Sequence, residues 1–139
     1  MPVAFQDITF LKEQPYNEMV LDAITHIEDN GKNIVIEEED ITKLLQKGSQ
    51  VSAVMCEAEG ALSVESAMQE LVSLLENPRK IKTMFIKFTV NPEVSLLILI
   101  GAMMLLEEVL HEDANILFGA ELTEAQGLES VSLVGLSVY

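Results

Sequence analysis

Basic side chains are scarce in this chain: 8 Lys and Arg stand against 23 Asp and Glu, for a formal net charge of -15. Binding to nucleic acid needs a stripe of Lys and Arg to neutralise phosphates, and none is present. The only basic cluster, Arg79-Lys80 with Lys82, reads as a solvated turn leading into a strand. Cysteine is reduced to Cys56 alone, which excludes an intrachain disulfide and makes a reducing cytoplasm the default compartment. Tryptophan is absent and aromatics make up 5% of residues, so the core is expected to be Val, Ile, Leu and Met. The longest apolar run, 94–106, is interrupted by Ser95 and falls short of the roughly 20 residues that a membrane-spanning helix needs. Met1-Pro2-Val3-Ala4 does not begin a signal peptide, and no membrane association is expected.

Catalytic patterns are missing too. The seven glycines stand singly at 31, 48, 60, 101, 119, 127 and 135. No two are close enough to build a loop whose backbone N–H groups cradle phosphate. There is no Ser-His-Asp order, Gly-x-Ser-x-Gly elbow or Cys-His pair. Paired carboxylates such as Glu37 with Asp40, or Glu107 with Glu108, suit acid–base chemistry in principle, but adjacency is expected by chance in so acidic a chain. His111-Glu112-Asp113 is a weak metal signal, because His26, the other imidazole, is distant in sequence. His111 is better placed at a helix C-terminus, where a partly protonated ring suits the dipole. Cys56 reads as a packed thiol with no nearby activator. No cofactor and no metal are expected.

What is present is a chain nearly half hydrophobic, long enough for one domain over residues 1–139. Val3, Phe5, Ile8 and Phe10 give a weak strand pattern with no clear face, and segment 1–15 remains unassigned. Met19, Val20, Ala23, Ile24 and Ile27 share one stripe of a helix over 17–29, ended by Asn30-Gly31. Asp40 is the expected cap of a short helix through Leu45, stopped by Gly48. Val51, Ala53 and Met55 alternate as a strand. Residues 61–75 form an amphipathic helix on Leu62, Ala67, Met68, Leu71, Val72 and Leu75, with Ser63 and Ser66 offering caps and Asn77-Pro78 closing it. Met84, Ile86, Phe88 and Val90 mark a second strand, followed by a helix over 93–110. Strands over 114–122 and 129–138, joined by a turn around Gly127, complete the chain. In the first of these, Ile116-Leu117-Phe118 reads as a run covered on both faces, and Gly119 as a bulge or a close backbone approach. The expected fold is α+β: a two-layer sandwich with a four-stranded mixed sheet, two main helices on one face and the N-terminal core-type helix on the other.

The helix over 93–110 is unusual in being apolar all round. Leu96, Leu99, Ala102, Met103, Leu106 and Val109 form the stripe expected to pack on the sheet. The opposite side carries Leu97, Ile98, Gly101, Met104 and Leu105 where polar residues belong. This second stripe is expected to meet another copy of the chain in a homodimer; coverage from within the chain is the other reading.

The order of elements, together with Asp113-Ala114-Asn115-Ile116-Leu117-Phe118-Gly119-Ala120 and Val131-Ser132-Leu133-Val134-Gly135-Leu136, resembles the C-terminal half of FtsZ, the tubulin-like division GTPase family. The resemblance spans the region from residue 16 or 17 to 139. It implies that the helix at 17–29 corresponds to the family's core helix, and that the glycine-rich GTP-binding half has no counterpart here. In the family an acidic loop after the core helix, Asn-x-Asp-x-x-Asp, reaches a neighbouring subunit's nucleotide. The matching positions are Val35, Glu37 and Asp40, a degenerate form. The resemblance implies a non-enzymatic interaction module that self-associates and contacts a full-length FtsZ-type protein. Two further readings are a small-molecule enzyme with a site at a subunit interface, and an activator of a neighbour's GTPase through Glu37 and Asp40.

Overall fold

The computed structural model describes residues 7–139, so the Val3 and Phe5 part of the first strand pattern lies outside the described residues. The elements in order are β1 (Thr9–Phe10), α1 (Asn17–Thr25), α2 (Glu38–Leu44), β2 (Gln50–Glu59), α3 (Ser63–Leu74), a single 3-10 turn (Pro78–Lys80), β3 (Thr83–Val90), α4 (Leu96–Glu107), β4 (Asn115–Leu122) and β5 (Ser130–Val138).

One mixed sheet holds all the strands in the order β1-β2-β5-β3-β4. It has five strands rather than the expected four. The addition is β1, a two-residue strand lying parallel to the start of β2 through Thr9↔Gln50 and Phe10↔Val51. The chain ahead of α1 therefore doubles back onto the sheet edge. Gln14 Nε2 donates to the Ala53 carbonyl, and Lys12 pairs with Glu76. A two-residue strand is too short to show an alternation, which is why its face could not be read in the sequence.

Helices cover both faces, so the arrangement has three layers rather than two. The alternating side chains of each strand feed two separate cores. On one face Met84, Ile86 and Phe88 of β3 meet α3 and α4 through Ala67, Met68, Leu71, Leu99, Met103 and Leu106. The Phe88 and Phe118 rings meet there edge to face at a centroid distance of 6.0 Å. On the other face Phe85 packs with Val51, Ala53 and Leu136 against Val20, Leu21 and Ile24 of α1. Ile36, Ile41 and Leu45 join this second core, so α2 shares the face assigned to the N-terminal helix alone.

The helix ends depart from their expected caps. α1 stops at Thr25, with His26 as its C-cap, rather than at Asn30-Gly31. Thr25 Oγ1 donates back to the Leu21 carbonyl, a bond that competes with continuing the helix. The cap of α2 is Glu37, with Asp40 inside the first turn. α3 begins after Leu62 without a side-chain cap from Ser63 or Ser66. α4 is shorter than 93–110; Ser95 Oγ accepts from the Leu97 N–H as its N-cap.

The run Ile116-Leu117-Phe118 lies in an edge strand and is half-buried rather than covered on both faces. The central position belongs to β5, which pairs antiparallel with β2 on one side and β3 on the other. Gly119 is a close approach, not a bulge, since its register with Lys87 is unbroken. A Cβ there would stand 2.5 Å from Ile27 Cδ1 and 2.8 Å from the Ile34 carbonyl oxygen. Without that atom the segment after α1 can lie along the outer edge of β4. Ile34 and Ala120 exchange both backbone hydrogen bonds at 2.8 Å, and Asn33 Oδ1 accepts from the Leu122 N–H. This pairing protects part of an otherwise open edge.

Candidate functional site

The degenerate acidic loop lies along the segment that leads into α2. Val35 is half-buried beside the Ile34–Ala120 bridge, and Glu37 is exposed at the start of α2. Both line a shallow pocket with Thr25, His26, Ile27 and Ile41. Asp40 lines a different depression, formed by Lys43, Leu44 and the start of β4. Among the described residues Glu37 and Asp40 thus line different depressions.

The histidines are also kept apart. His26 is the C-cap of α1, with Nδ1 3.0 Å from Asp22 Oδ1. His111 lies beyond the end of α4 rather than on its last turn, and its Nδ1 accepts from the Asp113 N–H at 3.1 Å. Among the described residues no three His, Cys, Asp or Glu side chains converge as metal ligands. Cys56 is buried in the α3/α4 core. Burial, aided by Glu70, pushes its thiol up to about 11, so the nucleophilic thiolate is suppressed. Arg79 of the basic cluster is engaged by its own fold: Nη1 donates to the Leu110 carbonyl at 2.8 Å.

The pronounced feature of the surface is α4. Its inner stripe is buried as expected at Leu99, Ala102, Met103 and Leu106, whereas Leu96 is half exposed. On the outer side Leu97 is 77% exposed, Met104 60% and Ile98 52%, and Gly101 is exposed between them. Leu105 is half-buried. Within the described residues nothing covers this stripe. Next to it, α3 and α4 diverge to leave a groove of about 390 Å³. Leu62 and Val64 form one wall, Ile98, Gly101 and Leu105 the other, and Leu128 closes the end.

Sequence reasoning missed three of these residues. Leu62 was placed on the packed side of α3 but precedes its first turn and is 68% exposed. Ile100 and Leu128 are exposed as well. The available signal was Leu128 itself, a large aliphatic residue between Gly127 and Glu129 in a turn. Gly101 has no internal role, because a Cβ there would meet no atom within 4 Å. In a helix interior it nonetheless costs about 1 kcal/mol relative to Ala.

This combination of a mixed sheet, a core-type helix behind it and a helical pair in front is the fold of the tubulin-like FtsZ and CetZ proteins. The chain matches FtsZ of M. jannaschii, as the W319Y mutant and as an empty dimer, each with a TM-score of 0.70 over 88% of its length, at 16% and 15% identity. CetZ2 of Haloferax volcanii, solved as a protofilament with GTPγS bound, matches over 88% at 12% identity and a TM-score of 0.54. The match covers 35 to 37% of each of those chains, so the likeness is to part of a tubulin-like protein. No protein-family model matches the sequence, and no curated protein does. No described helix is long and apolar enough to cross a membrane.

Proposed function

We propose that this chain is a non-enzymatic protein-interaction module with the architecture of the tubulin-like C-terminal region, and that the outer stripe of α4 is its contact face. The observation that supports it is the exposure of Leu97, Ile98, Ile100 and Met104 on a helix with no charged residue between Glu93 and Glu107. Burying such side chains is worth roughly 1.5 to 3 kcal/mol each, a gain that association can still collect. Two copies of α4 running antiparallel across a two-fold axis would cover the stripe with Gly101 at the crossing. The solved relatives include an FtsZ dimer and a CetZ protofilament, which makes a tubulin-like polymer a second natural partner.

Light scattering at high protein concentration in about 0.3 M salt, where the Debye length falls to roughly 5 to 6 Å, gives the direct test. The wild type is expected to show a dimer mass, and Ile98→Glu with Met104→Glu a folded monomer. A wild-type monomer under these conditions, or a dimer that survives the double substitution, would remove α4 as the self-contact face.

A further inference from the structure

The groove between α3 and α4 has an apolar floor and a rim of one sign. Glu65 lines it directly, Glu93 precedes Val94 of its wall, Glu108 lies three residues beyond Leu105 on the same side of α4, and Glu129 follows Leu128. All four are exposed, and none is ion-paired among the described residues. No Lys or Arg occurs between Lys47 and Arg79 or after Lys87. Neither α3, α4 nor the β4–β5 turn therefore contributes a basic side chain to offset the rim.

A second copy placed along α4 would set this rim against itself. In an antiparallel pairing Glu93 approaches the other copy's Glu107 and Glu108, and in a parallel pairing it approaches the other Glu93. Like charges across an interface penalise that partner, while opposite charges speed encounter and fix register. Resting on the reading of α4 as the contact face, we infer that the preferred occupant of the groove is an amphipathic helix of another protein, with Lys or Arg flanking its apolar stripe. Large side chains at helical spacing fill the apolar floor, and the bare backbone at Gly101 admits one of them most deeply. The flanking cations meet Glu65 on one side and Glu108 on the other. At 12 residues α4 is about 18 Å long, which sets the partner's footprint at roughly three turns. Self-association is then the weaker use of the same face, favoured when salt screens the rim.

An 18-residue labelled peptide with a Leu stripe flanked by Lys tests this by fluorescence anisotropy against the full chain. Binding is expected to be micromolar in 50 mM salt and at least tenfold weaker in 300 mM. It should weaken several-fold with Glu65→Gln and Glu108→Gln, and be lost with Gly101→Leu, whose first added carbon meets no atom. Circular dichroism confirms that this last variant is folded. Equal binding by a scrambled peptide of the same composition would reduce the effect to net charge and overturn the inference. So would equal binding by a Glu-flanked version, or undiminished binding to Gly101→Leu. A dimer abolished by Ile98→Glu with Met104→Glu, alongside a peptide that fails to bind, would leave the contact face standing and remove the basic partner.

Discussion

At the scale of single residues, Cys56 shows most directly how position sets chemistry. Its sequence context left a reactive thiol unlikely only by default, through the lack of a nearby activator. Burial in the core supplies a direct reason by raising the thiol to about 11. A raised acid favours the folded state while it stays protonated. Its contribution is intact below pH 9 and is lost as the pH climbs towards 11, because the unfolded chain releases the proton first. Denaturation measured from pH 8 to 11 should show stability falling by up to roughly 1.4 kcal/mol per unit from this group. Cys56→Ala should flatten that part of the profile at the cost of a small cavity. A wild-type slope that survives the substitution would assign the loss to other groups, Tyr139 being the first to consider since burial raises it as well. Native protein should also resist thiol reagents at pH 8 until it unfolds.

Two glycines make the corresponding point for elements. Gly119→Ala would drive a carbon into the Ile34 carbonyl and Ile27, forcing the segment after α1 off the edge of β4. Overpacking against backbone should cost about 1 to 3 kcal/mol in urea denaturation. Gly101→Ala adds its carbon in open space on a helix and should stabilise by up to about 1 kcal/mol. Equal effects at the two positions would contradict this assignment. The contrast also marks what was legible in the sequence. Gly119 was read as a bulge or a close approach and makes the approach, whereas Gly101 makes none within the described chain. The long elements were readable because β2, β3, α3 and α4 each carry a full period of apolar residues. The end of α1 was not, because the seating of Ile27 near Gly119 is a tertiary effect and the back-bond from Thr25 to the Leu21 carbonyl leaves no mark in the apolar period. Nor was the edge placement of β4, because Ile116-Leu117-Phe118 is as apolar as a central strand and one half-buried face looks like two covered ones. Of the candidate site, the outer stripe of α4 was visible as an excess of apolar residues. The opposite wall of the groove was hidden in the capping position of Leu62 and in a turn.

For the whole molecule, order in space runs against order in the chain. The last strand is the middle of the sheet: β5 alone joins the β1-β2 pair to the β3-β4 pair. The two parallel pairs therefore have no hydrogen-bonded contact with each other until Ser130–Val138 arrives. Residues 130–138 must be in place before the sheet can close. Until then β2 and β3 each present an unpaired edge of Val, Met, Ile and Phe, a surface prone to pairing with other chains. A version ending at Glu129 should fail to fold cooperatively, showing no sigmoidal urea transition and a tendency to aggregate. Adding residues 130–139 as a separate peptide should restore the transition if the two half-sheets are preformed, and fail if they are not. Closure thus brings β5 back against β2 across the whole of α3, β3, α4 and β4, a pairing of long sequence separation that should make folding slow.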